Sequence, residues 1–307
     1  MTSSPGPAYH RPVLLAPLLA ALGPVSRAVD ATLGDGGHAE ALRAAGAEVL
    51  GIDRDPDAIR IAHTRLGEDR ISYLEADYAA PEALDAVARF RPDAVLLDLG
   101  VSSRQLDDEA RGFSFRPGAP LDMRMAGAGP TAAELLNTAD ERALRQYIAE
   151  YADEPRARRL AAEITRRRAR RPFETSDDLV NAIRAVLGPR AGPAEFARIF
   201  QAVRIAVNEE LASLTRALPA FRDALGPGGR LAVISYHSGE DRLVKHAFQE
   251  WSRACVCPPA QPVCTCRGRP LGRTAPRKPI VPDADELAVN PRARSARLRL
   301  FQVADGA

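Results

Sequence analysis

The chain is 307 residues long, room for one large domain or two modest ones around a substantial core. With 46% hydrophobic and 27% charged residues it has the composition of a soluble globular protein, and a formal net charge of +2 is too small to name a partner. No stretch approaches the roughly 18 apolar residues that a membrane-spanning helix needs, which excludes a membrane partner of that kind and points to a cytoplasmic protein. Nearly all the positive charge is arginine, Lys245 and Lys278 being the only lysines. Arginine grips phosphates bidentately and stacks on bases, although a GC-rich coding sequence produces the same bias together with the excess of alanine.

Val13 to Leu22 is the first apolar run. Pro12 and Pro17, a single preceding basic residue (Arg11) and the lack of a small-residue cleavage site speak against a secretory leader. Leu14, Leu18 and Leu22 recur at i, i+4 and i+8, which predicts a short core-packing helix. Arg27 to Leu33 reads as a buried strand, followed by a glycine turn at Gly34, Gly36 and Gly37 and a helix over His38 to Ala45. Glu48 to Ile52 is a second strand ending at Asp53, and Asp55, Pro56 and Asp57 open a helix to Leu66. A third strand spans Ile71 to Leu74, a helix Pro81 to Phe90, and a fourth strand Ala94 to Leu97, ending at Asp98. This alternation predicts a parallel sheet wound by right-handed crossovers. From about Asp107 to Ile205 no buried strand is readable. A loop rich in glycine and proline gives way to helical segments at Ala132 to Tyr151, Arg156 to Arg170 and Ser176 to Leu187. The alternation resumes with one long helix over Ala194 to Leu225, a strand over Arg230 to Ser235, a helix over Glu240 to Trp251 and a last strand over Ala296 to Val303. The expected organisation is an α/β Rossmann-like domain, residues 1–106 and 206–307, interrupted by a helical domain at 107–205.

Asp53, Asp77 and Asp98 fall at the carboxyl ends of three successive strands, the edge at which open parallel sheets bind ligands. Between the first strand and first helix, Gly34, Gly36 and Gly37 let the backbone approach a ligand and leave helix-terminal N–H groups free. Asp53 is placed to accept both hydroxyls of a ribose. Gly34-x-Gly36-x-x-Ala39 also satisfies the dinucleotide fingerprint, so the glycine turn alone leaves a nicotinamide cofactor and S-adenosylmethionine equally open. Asp77-Tyr78 favours the latter, since an aspartate can bond the adenine amine while the aromatic ring stacks. A nicotinamide oxidoreductase would also want a Tyr-x-x-x-Lys or a hydride-site histidine, and two lysines leave no room for the former.

Beyond these features the chain resembles the bacterial RsmH/MraW family. The resemblance is carried by His10-Arg-Pro-Val-Leu-Leu15, Asp35-Gly-Gly-His38, Gly51-Ile-Asp-Arg-Asp-Pro56, Leu96-Leu-Asp-Leu-Gly-Val-Ser-Ser103, Gln105-Leu-Asp-Asp108 and Arg111-Gly-Phe-Ser-Phe115. It continues through Pro120-Leu-Asp-Met-Arg-Met125, Phe200-Gln-Ala-Val-Arg-Ile205, His237-Ser238, Glu240-Asp-Arg242 and Asn290-Pro-Arg-Ala-Arg-Ser295, co-linear over nearly the whole chain. Gly239 stands inside the His-Ser-x-Glu-Asp-Arg motif where leucine is usual, and Tyr78 where phenylalanine is also familiar. The resemblance implies a class I methyltransferase that uses S-adenosylmethionine to methylate N4 of a cytidine in the decoding region of 16S rRNA. It implies the small ribosomal subunit as partner and no DNA target, and leaves open the oligomeric state, a homodimer included. It further implies cofactor contacts at Gly36, Gly37, His38, Asp53, Tyr78, Asp98 and Gln105. A non-catalytic ribosome-assembly factor with a vestigial pocket is the alternative from another class, and the intact Gly36, Gly37, Asp53 and Asp98 argue against it.

An exocyclic cytosine amine is a poor nucleophile, so its methylation needs an acceptor for an N–H as the nitrogen pyramidalises. Asp98 is the candidate acceptor, with a plain cofactor contact as the equal alternative. His237, after the fifth strand, is either structural or at the RNA and reaction edge. Residues 156–171 hold eight arginines against Glu163; Arg166, Arg167 and Arg168 are the expected phosphate contacts, the alternative being a solvated helix face. Cys255-x-Cys257 and Cys264-x-Cys266 have the look of a metal site, but structural zinc usually has two or more residues between paired cysteines. The expectation is a reduced, proline-braced loop and no metal.

Overall fold

The structure, a computed structural model, describes residues 11–258, 261 and 263–305; His10 of the first motif lies outside them. The chain divides into two compact units, Met1–Gly100 with Leu211–Ala307, and Val101–Glu210. The organisation expected from the sequence has its boundaries at 106/107 and 205/206.

Through the first unit the elements run α1 (Leu15–Leu22), β1 (Arg27–Asp30), α2 (Gly37–Ala44), β2 (Glu48–Asp53), α3 (Pro56–Leu66), β3 (Ile71–Glu75), α4 (Pro81–Phe90) and β4 (Ala94–Asp98). The second unit supplies α5 (Ser103–Asp107), α6 (Ala132–Thr138), α7 (Glu141–Ala152), α8 (Ala157–Arg168), α9 (Ser176–Leu187) and α10 (Pro193–Val207). From α11 (Glu210–Ala224) the chain goes on to β5 (Arg230–Ser235), α12 (Ser238–Trp251), β6 (Gly272–Thr274), α13 (Ala284–Val289) and β7 (Arg297–Val303).

The seven strands form one sheet in the order β3-β2-β1-β4-β5-β7-β6. The first five are parallel, with Val29 opposite both Leu50 and Val95, and Asp98 opposite Ile234. β7 is reversed, pairing Val233 with Arg299, and β6 pairs antiparallel to β7. A strand buried on both faces sends alternate side chains to opposite layers. In β4, Val95 and Leu97 join Phe221, Val244 and Phe248 on one side, while Ala94 and Leu96 join Leu14, Leu18 and Leu298 on the other. Each fully buried leucine in these layers contributes about 2 kcal/mol from lost apolar surface. Local chemistry sets the element ends. Asp55 caps α3 by accepting the Asp57 N–H at 3.0 Å, Pro56 supplies the first helical residue, and Gly67 at φ 65° ends it.

The second unit has its own apolar core, built from Leu136, Leu144, Ile148, Leu160, Ile164, Ile183, Ile199 and Phe200. Two boundaries differ from those read in the sequence. Ala132 to Tyr151 is two helices, because Asp140 accepts the Ala143 N–H at 2.6 Å and restarts the chain as a new N-cap. The long helix from Ala194 breaks after Val207. The Asn208 amide donates to Arg204 O (2.9 Å) and Met123 O (2.7 Å) and accepts from Met125 N–H (2.9 Å), and Glu209 turns to φ +50°. β1 is also shorter than expected, since Thr32 N–H turns back to Asp30 Oδ1 at 3.3 Å.

Candidate active site

The carboxyl edge of the sheet collects acids: Asp30 ends β1, Asp53 ends β2, Asp98 ends β4, and Asp77 follows β3. The reversal of strand order between β1 and β4 opens a crevice at this edge. Gly36 takes φ +81°, a conformation that suits glycine, and a Cβ there would also lie 2.8 Å from Leu66 Cδ1. A Cβ on Gly37 would meet Pro12 Cγ at 2.6 Å. The turn is therefore held by close packing within the chain.

Asp53 closes this turn. Its Oδ2 accepts the Gly34 N–H and its Oδ1 the Asp55 N–H, both at 2.8 Å. Each oxygen keeps a second lone pair, so the carboxylate can still accept from two hydroxyls. Burial, partly offset by these two N–H bonds, pushes its carboxyl up to about 6. Asp77 is committed otherwise: Oδ1 accepts the Ala79 N–H at 2.8 Å and Oδ2 lies 2.9 Å from Arg54, so the expected bond to an adenine amine would have to share that oxygen. Tyr78 packs beside Phe221, ring centroids 6.4 Å apart, against the layer that holds Ala79 and Ala83.

Asp98 sits at the centre of a four-residue arrangement. Its backbone N–H donates to Thr32 Oγ1 at 2.6 Å, and its Oδ1 accepts the Tyr236 hydroxyl at 2.9 Å. Its Oδ2 lies 3.7 Å from His38 Nδ1, and the side chain is still 23% exposed, enough to meet a substrate. His38 Nε2 faces Val13 O at 3.0 Å, and a carbonyl only accepts, so the proton is on Nε2 and Nδ1 presents a lone pair. Burial lowers the His38 pKa and keeps the ring neutral at pH 7. Asp30, 1% exposed, completes the cluster: burial pushes it to about 6, and its Oδ2 has no hydrogen-bond partner among the described residues. Burial pushes Asp98 itself to about 7, against the Tyr236 hydrogen bond, which lowers it. A carboxyl poised near neutrality and open on one side can accept a proton at physiological pH.

Sequence reasoning missed Tyr236, Thr32 and the proximity of Asp30. The usable signal was register: β5 lies beside β4, so the residue following Ser235 emerges next to Asp98. For His237, open between a structural role and a place at the reaction edge, the geometry favours the structural one. His237 caps α12, Nδ1 accepting from the N–H groups of Gly239 (3.2 Å) and Glu240 (3.4 Å), with Nε2 lying 3.1 Å from Glu240 Oε1. Its Nδ1 is committed to the helix end, which fixes the chain just after Tyr236, while Nε2, beside the buried Glu240, makes no hydrogen bond among the described residues.

Of the remaining expected residues, Gln105 belongs to the second unit, where it is buried and completes a capping box with Ser102. The three arginines are also there, and they differ. Arg166 and Arg167 pair with Glu163 at 2.7 and 2.6 Å, and Arg168 donates to Leu136 O and Ala139 O (2.9 and 2.6 Å), closing the end of α6. Arg168 is thus structural, contrary to the expectation of a phosphate contact. Among the described residues Arg158, Arg159 and Arg170 are exposed and form no ion pair.

A sheet of this order with β7 reversed, and acids at the ends of β1, β2 and β4, defines a class I methyltransferase, a class whose methyl donor is S-adenosylmethionine. A family model, the MraW methylase family, matches residues 7–304, and the chain belongs to that family. It is 59% identical over 301 residues to the ribosomal RNA small subunit methyltransferase H of Gemmatimonas aurantiaca, covering 96% of each chain. It is 49% identical over 312 residues to the protein of the same name from Rubrobacter xylanophilus, covering 98% of each. A solved rRNA methylase from Streptococcus thermophilus aligns over 94% of this chain and 92% of its own, with 12% identity and a TM-score of 0.41. Membership of a methylase family removes the nicotinamide alternative. Among the described residues no helix is long and apolar enough to cross a membrane.

Proposed function

We propose that the chain transfers a methyl group from S-adenosylmethionine to N4 of a cytidine in small-subunit ribosomal RNA. The observation that carries the reading is Asp98: an exposed-edge carboxyl at the end of β4, oriented by Tyr236 and poised near pH 7. The relatives' names support the ribosomal substrate.

The crevice fits the cofactor. Asp53 retains acceptor capacity for a ribose diol, and the resemblance assigns the cofactor's other contacts to the turn at Gly36, Gly37 and His38 and to Tyr78 just after β3. Gln105 is assigned to the same role by the resemblance alone. The bound cofactor supplies an electrophilic methyl group on a sulfonium. Asp98 accepts one N–H of the cytosine amine, which orients the nitrogen lone pair. It would take that proton as the new N–C bond forms and the methyl–sulfur bond breaks, the electron pair staying on sulfur as a neutral thioether, and would then release the proton to solvent. Tyr236 holds Oδ1, leaving Oδ2 toward the substrate, and neutral His38 adds no competing charge beside it. The target base must be unstacked to reach the edge. The inserted unit is assigned RNA binding, through Arg158, Arg159 and Arg170 together with the outward-facing Arg166.

Labelled cofactor and small subunits from cells lacking the protein test this. N4-methylcytidine in the digested rRNA is expected; label confined to another base or to DNA refutes the substrate, and no transfer at all leaves the non-catalytic assembly factor.

A further inference from the structure

The loop between α12 and β6 is pinned at its two ends. Leu271 N–H donates to Trp251 O at 2.8 Å, and Arg267 reaches back to Glu250 Oε1 (2.9 Å) and Glu250 O (2.6 Å). Between these ties runs a long excursion in which the described residues form no helix or strand. Loops of that length are uncommon unless something organises them. This one carries all four cysteines of the chain. Their sulfurs converge: the four Sγ atoms all lie within 4.8 Å of one another. Cys255 to Cys264 is 3.8 Å, Cys257 to Cys264 3.9 Å, Cys264 to Cys266 3.5 Å and Cys266 to Cys255 3.9 Å.

Three explanations can be weighed against those separations. A disulfide would hold its sulfurs at about 2.05 Å, so none is formed. Unreactive cysteines usually pack as small hydrophobes in a core, whereas Cys255 and Cys264 are exposed and none of the four is buried. Four thiolates around one ion at a metal–sulfur distance of about 2.3 Å form a tetrahedron with edges of about 3.8 Å. The four separations of 3.5–3.9 Å lie close to that edge, and all six fall within 4.8 Å.

We propose that Cys255, Cys257, Cys264 and Cys266 bind one zinc ion as a structural tetrathiolate site. The one-residue spacing within each pair, which weighed against metal in the sequence, is accommodated because each pair is one arm of a clasp. In extended chain, residues i and i+2 point to the same side, so each arm presents both thiols to the other. Three of the four short separations accordingly run between arms. The Val256 N–H donates to Cys266 Sγ at 3.4 Å, the kind of outer contact that steadies a ligating thiolate. Four sulfurs in a tetrahedron select zinc or iron among common metals, and hard oxygen-seeking ions are excluded. The site belongs to the loop and takes no part in methyl transfer.

The test uses the full chain, produced without a metal-affinity tag and purified under reducing conditions. Elemental analysis should find about one zinc per chain. An aromatic disulfide reagent should leave all four thiols unreacted until a chelator is added, then titrate four as the zinc leaves. Cobalt(II) put in place of zinc should give the thiolate charge-transfer and tetrahedral d–d bands, and Cys264→Ser should lose metal at least about a hundredfold more readily. The wild-type measurements stand whether or not that variant folds. Four immediately reactive thiols with no metal, a mass showing two disulfides, or bound iron in place of zinc would each overturn the assignment.

Discussion

Replacing Tyr236 with phenylalanine removes one oxygen atom and isolates what the Asp98 carboxyl contributes. In the wild type the phenol donates to Asp98 Oδ1 at 2.9 Å and stabilises the ionised form, while burial favours the protonated one and leaves the group at about 7. A hydrogen bond to a charged group is worth about 1.5–3 kcal/mol, and 1.36 kcal/mol corresponds to one pH unit, so its loss should raise the Asp98 pKa by roughly 1–2 units. The acceptor must be ionised to take an N–H. Methyl transfer should therefore rise with pH through about 7 in the wild type, and through roughly 8–9 in Tyr236→Phe. At pH 7 the variant should run about 5- to 50-fold slower, yet recover most of the wild-type rate on its alkaline plateau, because the carboxylate is still there. Single-turnover transfer to small subunits across pH 5.5–10, with cofactor affinity followed by calorimetry, measures this. An acid limb that does not move, or a rate depressed equally at every pH, would refute the proton-accepting role and make Tyr236 a packing residue.

Asp98→Asn should slow transfer at least about a hundredfold while cofactor affinity changes less, since an amide nitrogen cannot accept the amine's N–H; equal losses of both would make Asp98 a cofactor ligand only. The same variant should be more stable at high pH. Because the folded-state pKa of Asp98 is raised, folding favours the proton, and the wild type loses stability as pH climbs from about 4 to about 7. By pH 8 that loss is on the order of 4 kcal/mol, so Asp98→Asn should melt higher there and the advantage should shrink toward pH 4 in calorimetric scans. Asp53→Ala should weaken cofactor binding by about 2–4 kcal/mol in calorimetry, and wild-type affinity would contradict its assignment to the ribose. Alanine at Arg158, Arg159 and Arg170 together should lower the salt dependence of RNA binding without lowering the melting temperature, whereas Arg168→Ala should lower the melting temperature instead; the reverse pattern would return the phosphate contacts to Arg168.

The strand–helix alternation, the acids at strand ends and the glycine turn were legible because each is a local property of the chain. Hydrophobic runs of four to six residues and a glycine at positive φ leave their mark within a few positions. What escaped was set by partners distant in sequence. Asn208 breaks a continuous helical pattern through bonds to Met123 and Met125, which no periodicity encodes. Tyr236 meets Asp98 because β5 pairs with β4 across the whole insertion. Arg168 reads as one more cation in a basic run until its donors are seen on the carbonyls that end α6. β6 is three residues of proline-flanked loop that becomes a strand only by lying against β7.

The pairing of β4 with β5 also bears on how the chain reaches its native state. These neighbours are separated by roughly 130 residues, a long closure for a sheet that cannot be finished without it. Most of that interval is the contiguous stretch Val101–Glu210, which has its own apolar core. If it orders first, the flexible chain left to close falls to about 25 residues, and the entropic cost drops by roughly 1.5 kcal/mol. The insertion then acts as a ruler during folding, delivering Leu211 onward to the sheet. Mutations in its core should then slow completion of the sheet, a loss seen in the folding rate.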